Sequence, residues 1–230
     1  MNIFALDLLY LKNMQLRGFR TLLIHEFTLE FRQRFSFAAQ VLYVAAVVFI
    51  FYLTFSEPDG QIWNSLFWMV MLFSGIQLGT TSFNREFGHS HLFYFQLIDP
   101  MMLFFSKIIS VWIRLLILGL SAWVIMSVVL GDPVVDKWLF GAAVFIGSLG
   151  LAVIFSFLSA ISMSTENSGL LLAVLSFPVL LPVLLSVIRL SFISMAQVSV
   201  EYFDSFATLI AVVMLVIGMG IFLFPTLWKN

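Results

Sequence analysis

"MLFFSKIISVWIRLLILGLSAWVIMSVVL", residues 102–130, is an unbroken apolar run that carries only two charges, Lys107 and Arg114. A helix needs about 20 apolar residues to cross a hydrocarbon layer of roughly 30 Å. A run this long fits a spanning helix that tilts or projects at one end. Five other segments share its character, at about 37–55, 62–82, 138–162, 168–190 and 206–228. Turn-forming clusters separate several of them: "SEPDG" (Ser56 to Gly60) follows the first and "GDPVVDK" (Gly131 to Lys137) the third.

Composition gives the same class. Hydrophobic residues make up 62% of the 230 positions, charged ones 10%, and the mean hydropathy is +1.09. Soluble domains hold about 45–50% apolar residues, and a chain of this length has no interior large enough to hide the excess. The expectation is an all-α integral membrane protein with six transmembrane helices in one domain covering 1–230, its partner phase the lipid bilayer. Residues 1–36 form a cytoplasmic or interfacial N-terminal segment. A net charge of −1 offers no field for nucleic acid. With no cysteine, disulfides, thiolate metal sites and thiol nucleophiles are excluded. The N-terminus places apolar residues before basic ones and lacks a small-residue cleavage site, unlike a signal peptide.

Lys and Arg set the orientation. With the N-terminus inside, Lys12, Arg17, Arg20, Arg32, Arg34, Arg85 and Lys229 are cytoplasmic, against Lys137 and Arg189 outside. Seven against two predicts both termini in the cytoplasm, and Glu57, Asp59, Asp132, Asp136, Glu201 and Asp204 then fall on the outer side. In "RGFRTLLIHEFTLEFRQRF" (Arg17 to Phe35), Phe19, Leu22, Leu23, Phe27 and Phe31 recur at helical spacing with Arg20, Glu26, Glu30 and Arg34 between them. That pattern fits an amphipathic helix lying along the inner membrane face. The alternative is an ordinary charged flank that orients the first span.

The loop "FNREFGHSHLFYFQLIDPMMLFFSK", Phe83 to Lys107, gathers Arg85, Glu86, His89, His91, Asp99 and Lys107 and is expected on the cytoplasmic side. His89 and His91 lie on opposite sides of a helix and lack the i, i+4 spacing of a ligand pair. Lys107 and Arg114, seven residues apart, project within about 20° of each other, with Ser110 and Ser121 on the same stripe. Lys107 either snorkels to the inner interface or turns inward. Arg114 sits deeper, where a charge costs at least about 2.5 kcal/mol, so it needs a partner, the bundle interior or a wet cavity. It would bind an anionic group of a substrate or pair structurally with Glu166 or Glu86.

Pro178 and Pro182 in "FPVLLPVLL" each remove a backbone donor, which predicts a kink or break, read as a hinge or as a packing bend. Gly141, Gly147, Gly150 and Ala152, with Gly218 and Gly220, are expected at close helix contacts. No GxxxxGK[ST], GxSxG or HExxH is present, and no Gly-Lys dipeptide at all, so neither a P-loop nor those catalytic motifs can be built. The chain reads as a non-enzyme, with no catalytic or metal residues.

This arrangement resembles an ABC-2 type permease. Within that group, "FNREFGHSHLFYFQLIDPMMLFFSKIISVW" (Phe83 to Trp112) is similar to a region of the haem exporter protein B (CcmB) family, with Glu86, Gly88, Leu92 to Leu97, Pro100, Ser106-Lys107 and Trp112 at the matching places. "SGLLLAVLSFPVLLPVLL" (Ser168 to Leu185) looks like that family's Gly-rich start to span five and its Pro-x-x-x-Pro segment. One position departs: the acidic residue that many members carry soon after the loop glycine is His91 here or has no counterpart. The resemblance implies a multi-pass permease subunit of the cytochrome c maturation system in the bacterial inner membrane. Its implied partners are an ATP-binding cassette subunit and a haem-handling membrane subunit, with ATP bound on the former and haem held by partners. Arg85, Glu86 and Gly88 would form the loop that couples to the ATPase; Lys107, Ser110 and Arg114 a polar stripe on the third span; Pro178 and Pro182 a hinge. "IWNSLFW", with Trp63 and Trp68, lacks the tryptophan-rich pattern of the haem handlers. Two other readings stand beside this one: a permease of the same superfamily for a lipid, drug or glycan, and a non-transporting membrane assembly scaffold.

Overall fold

The structure is a computed structural model and describes residues 34–55, 58–82, 100–162, 168–195 and 202–228. Six helices account for nearly all of them: α1 (Arg34–Thr54), α2 (Gly60–Ser82), α3 (Pro100–Leu130), α4 (Lys137–Ser162), α5 (Ser168–Ile193) and α6 (Tyr202–Trp228). Among the described residues there is no strand. Each helix coincides with one of the apolar segments, with ends that differ by up to four residues. Among the described residues, four stretches are long and apolar enough to cross a membrane: Gly60–Gly79, Met101–Leu130, Lys137–Ala160 and Phe203–Ile221. α1 and α5, helices of 21 and 26 residues, contribute the apolar stretches Ala38–Thr54 and Val179–Ile193. The N-terminal amphipathic segment before Arg34 lies outside the described residues.

Local chemistry explains the helix ends. Asp59 caps α2, its Oδ1 accepting the Ile62 N–H at 2.7 Å, and Asp136 caps α4 by accepting from Trp138 and Leu139 at 3.0 Å each. Asp132 accepts from the Val134 N–H at 3.2 Å and lies 3.8 Å from the Lys137 ammonium. Three acids that in the sequence only fail to contradict the orientation therefore have local structural work. α3 starts at Pro100, a favoured first helical residue. It ends at Gly131, whose φ of +84° only glycine adopts without strain.

α4 is the centre of the bundle and packs against α2, α3, α5 and α6. Of its apolar window, 67% is buried, against 28% for α3 and for α6, so the last two face outward along much of their surface. α1 sits at the edge, laid mainly on α3. Outward positions are apolar as well, Leu42, Leu53, Val128, Met214 and Leu215 among them, as a lipid-facing surface requires. Among the described residues three contacts need glycine. A Cβ on Gly220 of α6, expected at such a contact, would lie 2.9 Å from the Phe104 ring. A Cβ on Gly147 of α4 would collide with the Trp68 ring, and one on Gly75 of α2 with the Phe155 ring. Gly141 and Gly218, expected at such contacts, have no atom of the described residues within 4 Å of where a Cβ would stand.

α5 runs as one helix through Pro178 and Pro182, so the chain does not break there. Pro182 is exposed, which leaves its ring clear of neighbouring helices.

Candidate functional site

The residues of the stripe expected on the third span, Lys107, Ser110 and Arg114, lie on α3 and turn inward. Lys107 is 3% exposed and Ser110 fully buried, while Arg114 is half-buried. Arg114 Nη2 donates to Ser110 Oγ at 3.3 Å, a bond between residues one helical turn apart. Each of the three residues has an interaction partner. Lys107 does not snorkel along the surface: the packing of α1, α2, α4 and α6 around α3 encloses it. Ser121, further along the stripe, is satisfied within its own helix by the Leu118 carbonyl at 2.8 Å. Trp112 fixes the opposite side of the same stretch, donating to the Phe145 carbonyl at 3.2 Å and packing edge-on against the Phe145 ring at 4.8 Å. The rotation of α3 that brings Lys107 and Arg114 inward is therefore held by its contact with α4.

Arg85, Glu86 and Gly88, with His89, His91 and Asp99, lie outside the described residues, as does Glu166. The segment that holds most of them ends at Pro100, where α3 begins two turns before Lys107. Among the described residues no group of three His, Cys, Asp or Glu could hold a metal ion.

A second buried polar cluster lies at the other end of the bundle, and the sequence reading did not find it. Trp68 Nε1 donates to Ser191 Oγ at 2.8 Å. The single proton of the Ser191 hydroxyl has two near acceptors, the Val187 carbonyl of its own helix at 2.6 Å and Asn64 Oδ1 at 2.8 Å, and Asn64 Nδ2 donates to the Ile188 carbonyl at 2.8 Å. Side chains of α2 and α5, more than 120 residues apart in sequence, are thus knotted in an apolar surround where Asn64 is 1% and Ser191 0% exposed. Just beyond, the Ser194 carbonyl accepts both the Val135 N–H at 3.1 Å and the Asp136 N–H at 2.9 Å, which ties the end of α5 to the α3–α4 connection.

Aromatic rings fill the space beneath. Trp63 stacks on Phe67 at 5.8 Å with a 4° interplanar angle, and Phe140 of α4 lies 5.2 Å from Phe67 and 4.8 Å from Trp123 of α3. Trp63 and Trp68, noticed in the sequence only as an incomplete haem pattern, are core residues. The signal that could have found it is Asn64, a side-chain amide four residues into a largely apolar helix.

A family model described as CcmB protein matches residues 17–227, nearly the full length of the chain. No curated protein and no solved structure gives a significant match.

Proposed function

Since the chain belongs to the CcmB family, and is thereby a membrane component of the haem export and cytochrome c maturation system, we propose that it is the permease subunit that couples ATP hydrolysis on a separate subunit to haem transfer, or to release of the haem-loaded carrier. All six helices then span the bacterial inner membrane, with both termini in the cytoplasm. The family match carries this reading. It includes the whole Phe83 to Lys107 segment, in a chain without a P-loop motif of its own.

Arg85, Glu86 and Gly88 form or flank a short coupling helix seated in a groove of the ATPase. A push on that segment enters α3 at Pro100. The buried stripe of Lys107, Ser110 and Arg114 and the packing of α3 on α1, α2, α4 and α6 support transmission from there into the bundle. The protein acts on haem through its partners and holds no cofactor itself. Purification in mild detergent tests the reading: an ATP-binding subunit should co-purify, and its ATP turnover should fall when the complex is separated. Deletion of the chain that leaves c-type cytochromes fully matured would refute it.

A further inference from the structure

The bonds between α2, α5 and the α3–α4 connection divide α5 into two unlike halves. Its end is held by two elements, α2 and the α3–α4 connection. Asn64 and Trp68 grip Ser191 and the Ile188 carbonyl, and the α3–α4 connection donates two N–H groups to the Ser194 carbonyl. Asn64, Trp68, Ser191 and Ser194 are buried, and the bonds between α2 and α5 are 2.8 Å long; Val135 and Asp136 of the connection are exposed, and their bonds to the Ser194 carbonyl measure 3.1 and 2.9 Å. Breaking the buried Trp68, Asn64 and Ser191 bonds leaves polar groups unsatisfied in an apolar surround, and each stranded group raises the cost of opening. About two turns toward the other end of α5 come Pro182 and then Pro178. Neither has an N–H to donate to the preceding turn, so two bonds are missing from the helical ladder there.

We propose that the end of the bundle formed by the start of α2, the α3–α4 connection and the end of α5 is a permanent clasp. Conformational change pivots at Pro178 and Pro182, so the half of α5 before the prolines moves while the half after them stays fixed to α2 and α4. The part of this inference that concerns activity rests on the proposed ATP-coupled role. The clasp itself does not.

The natural absence of cysteine allows a direct test. A Cβ placed on Gly60 would lie 3.8 Å from the Met195 Cβ, the typical separation across a disulfide of about 3.8 Å. The G60C/M195C pair therefore joins the clasp across α2 and α5 without touching its hydrogen bonds. In membranes carrying the whole complex, copper-catalysed cross-linking of this pair is followed without nucleotide, with ATP, and with ATP plus vanadate. A permanent clasp gives rates that agree within about twofold in all three conditions. A tenfold or greater slowing in any of them shows that this end opens, and overturns the proposal. This readout requires no haem chemistry, but nucleotide reaches the chain only through the ATP-binding partner, so agreement of the three rates supports the clasp only in a complex whose ATP turnover has been shown.

The second arm asks for matured c-type cytochrome, measured by haem staining. Oxidised G60C/M195C should retain at least half of the level given by either single variant; loss under oxidation that dithiothreitol reverses would refute the clasp. P178A/P182A should cut the level at least fivefold while the G60C/M195C cross-linking rate, measured in the same background, stays unchanged. Full activity in P178A/P182A would refute the pivot. Absence of any dependence of maturation on the wild-type chain would instead refute the proposed function.

Discussion

Replacing Ser191 by alanine removes one oxygen, yet its cost should exceed that of most single-atom deletions in this bundle. The Ser191 hydroxyl accepts from Trp68 Nε1 across helices at 2.8 Å, while its own proton is divided between Asn64 Oδ1 of α2 at 2.8 Å and the Val187 carbonyl of its own helix at 2.6 Å. With alanine there, the indole N–H of Trp68, 1% exposed, has lost its acceptor. A stranded buried donor costs about 1–3 kcal/mol, and an interhelical bond in a membrane averages about 0.6 kcal/mol. Together they give a destabilisation of about 2 kcal/mol. For a chain of this size that corresponds to a fall in midpoint temperature of about 4–8 °C. Ser186→Ala on the same helix is the control. Its hydroxyl bonds only the Pro182 carbonyl of its own helix, so its effect should stay within about 0.5 kcal/mol, close to the difference in helix propensity. The assay is reversible unfolding of the purified protein in mixed micelles, followed by tryptophan fluorescence or circular dichroism. A double-mutant cycle with Trp68→Phe isolates the pair. W68F/S191A has no indole N–H left to strand, so its cost should fall below the sum of the single variants by about 1 kcal/mol. A Ser191→Ala effect equal to that of Ser186→Ala, or strictly additive losses in the cycle, would refute the claim that this network holds α2 to α5.

Gly147→Ala drives a methyl group into the Trp68 ring and should destabilise by about 1–3 kcal/mol. Gly141→Ala on the same helix meets open space and should be neutral or stabilising by up to about 1 kcal/mol; thermal unfolding of both variants in one detergent checks the contrast. Asp136→Ala removes the carboxylate that caps α4 and should cost about 0.5–2 kcal/mol, measured in the same way. Charge reversal at Arg85 and Glu86, R85E/E86R, should abolish co-purification of the ATP-binding subunit and lower matured cytochrome without changing the unfolding midpoint of the isolated chain. Intact co-purification and ATP turnover would rule out that coupling loop.

The helix positions were legible in the sequence because a lipid environment imposes a length. Each spanning helix needs an apolar run of fixed extent, and breakers such as Pro58, Gly60, Gly131 and Pro133 mark where the runs stop. Helix rotation was far less legible. In a soluble protein polar residues mark the outer face, but here Leu42 and Val128 on the outside are as apolar as Val44 and Val111 within. Glycine therefore gave a mixed signal: Gly147 lies at a close contact and Gly141, six residues earlier, does not. Lys107 shows the same limit, since its long side chain is compatible with either the interface or the interior, and only the helices around α3 decide for the interior.

By itself, the sequence determined that this chain is an apolar helical membrane protein, roughly where its helices begin and end, and which family it resembles. Composition, run length and local motifs act over a few turns of chain and do not depend on neighbours. Tertiary structure alone decided that Trp68, Ser191 and Asn64 form one network, that Trp63 and Trp68 belong to the core, and that α4 is the helix the others surround. Those facts depend on residues more than 120 positions apart being brought within 3 Å. No local pattern encodes such a meeting: an asparagine or a serine in an apolar helix signals only that it needs a partner, and the fold supplies which one.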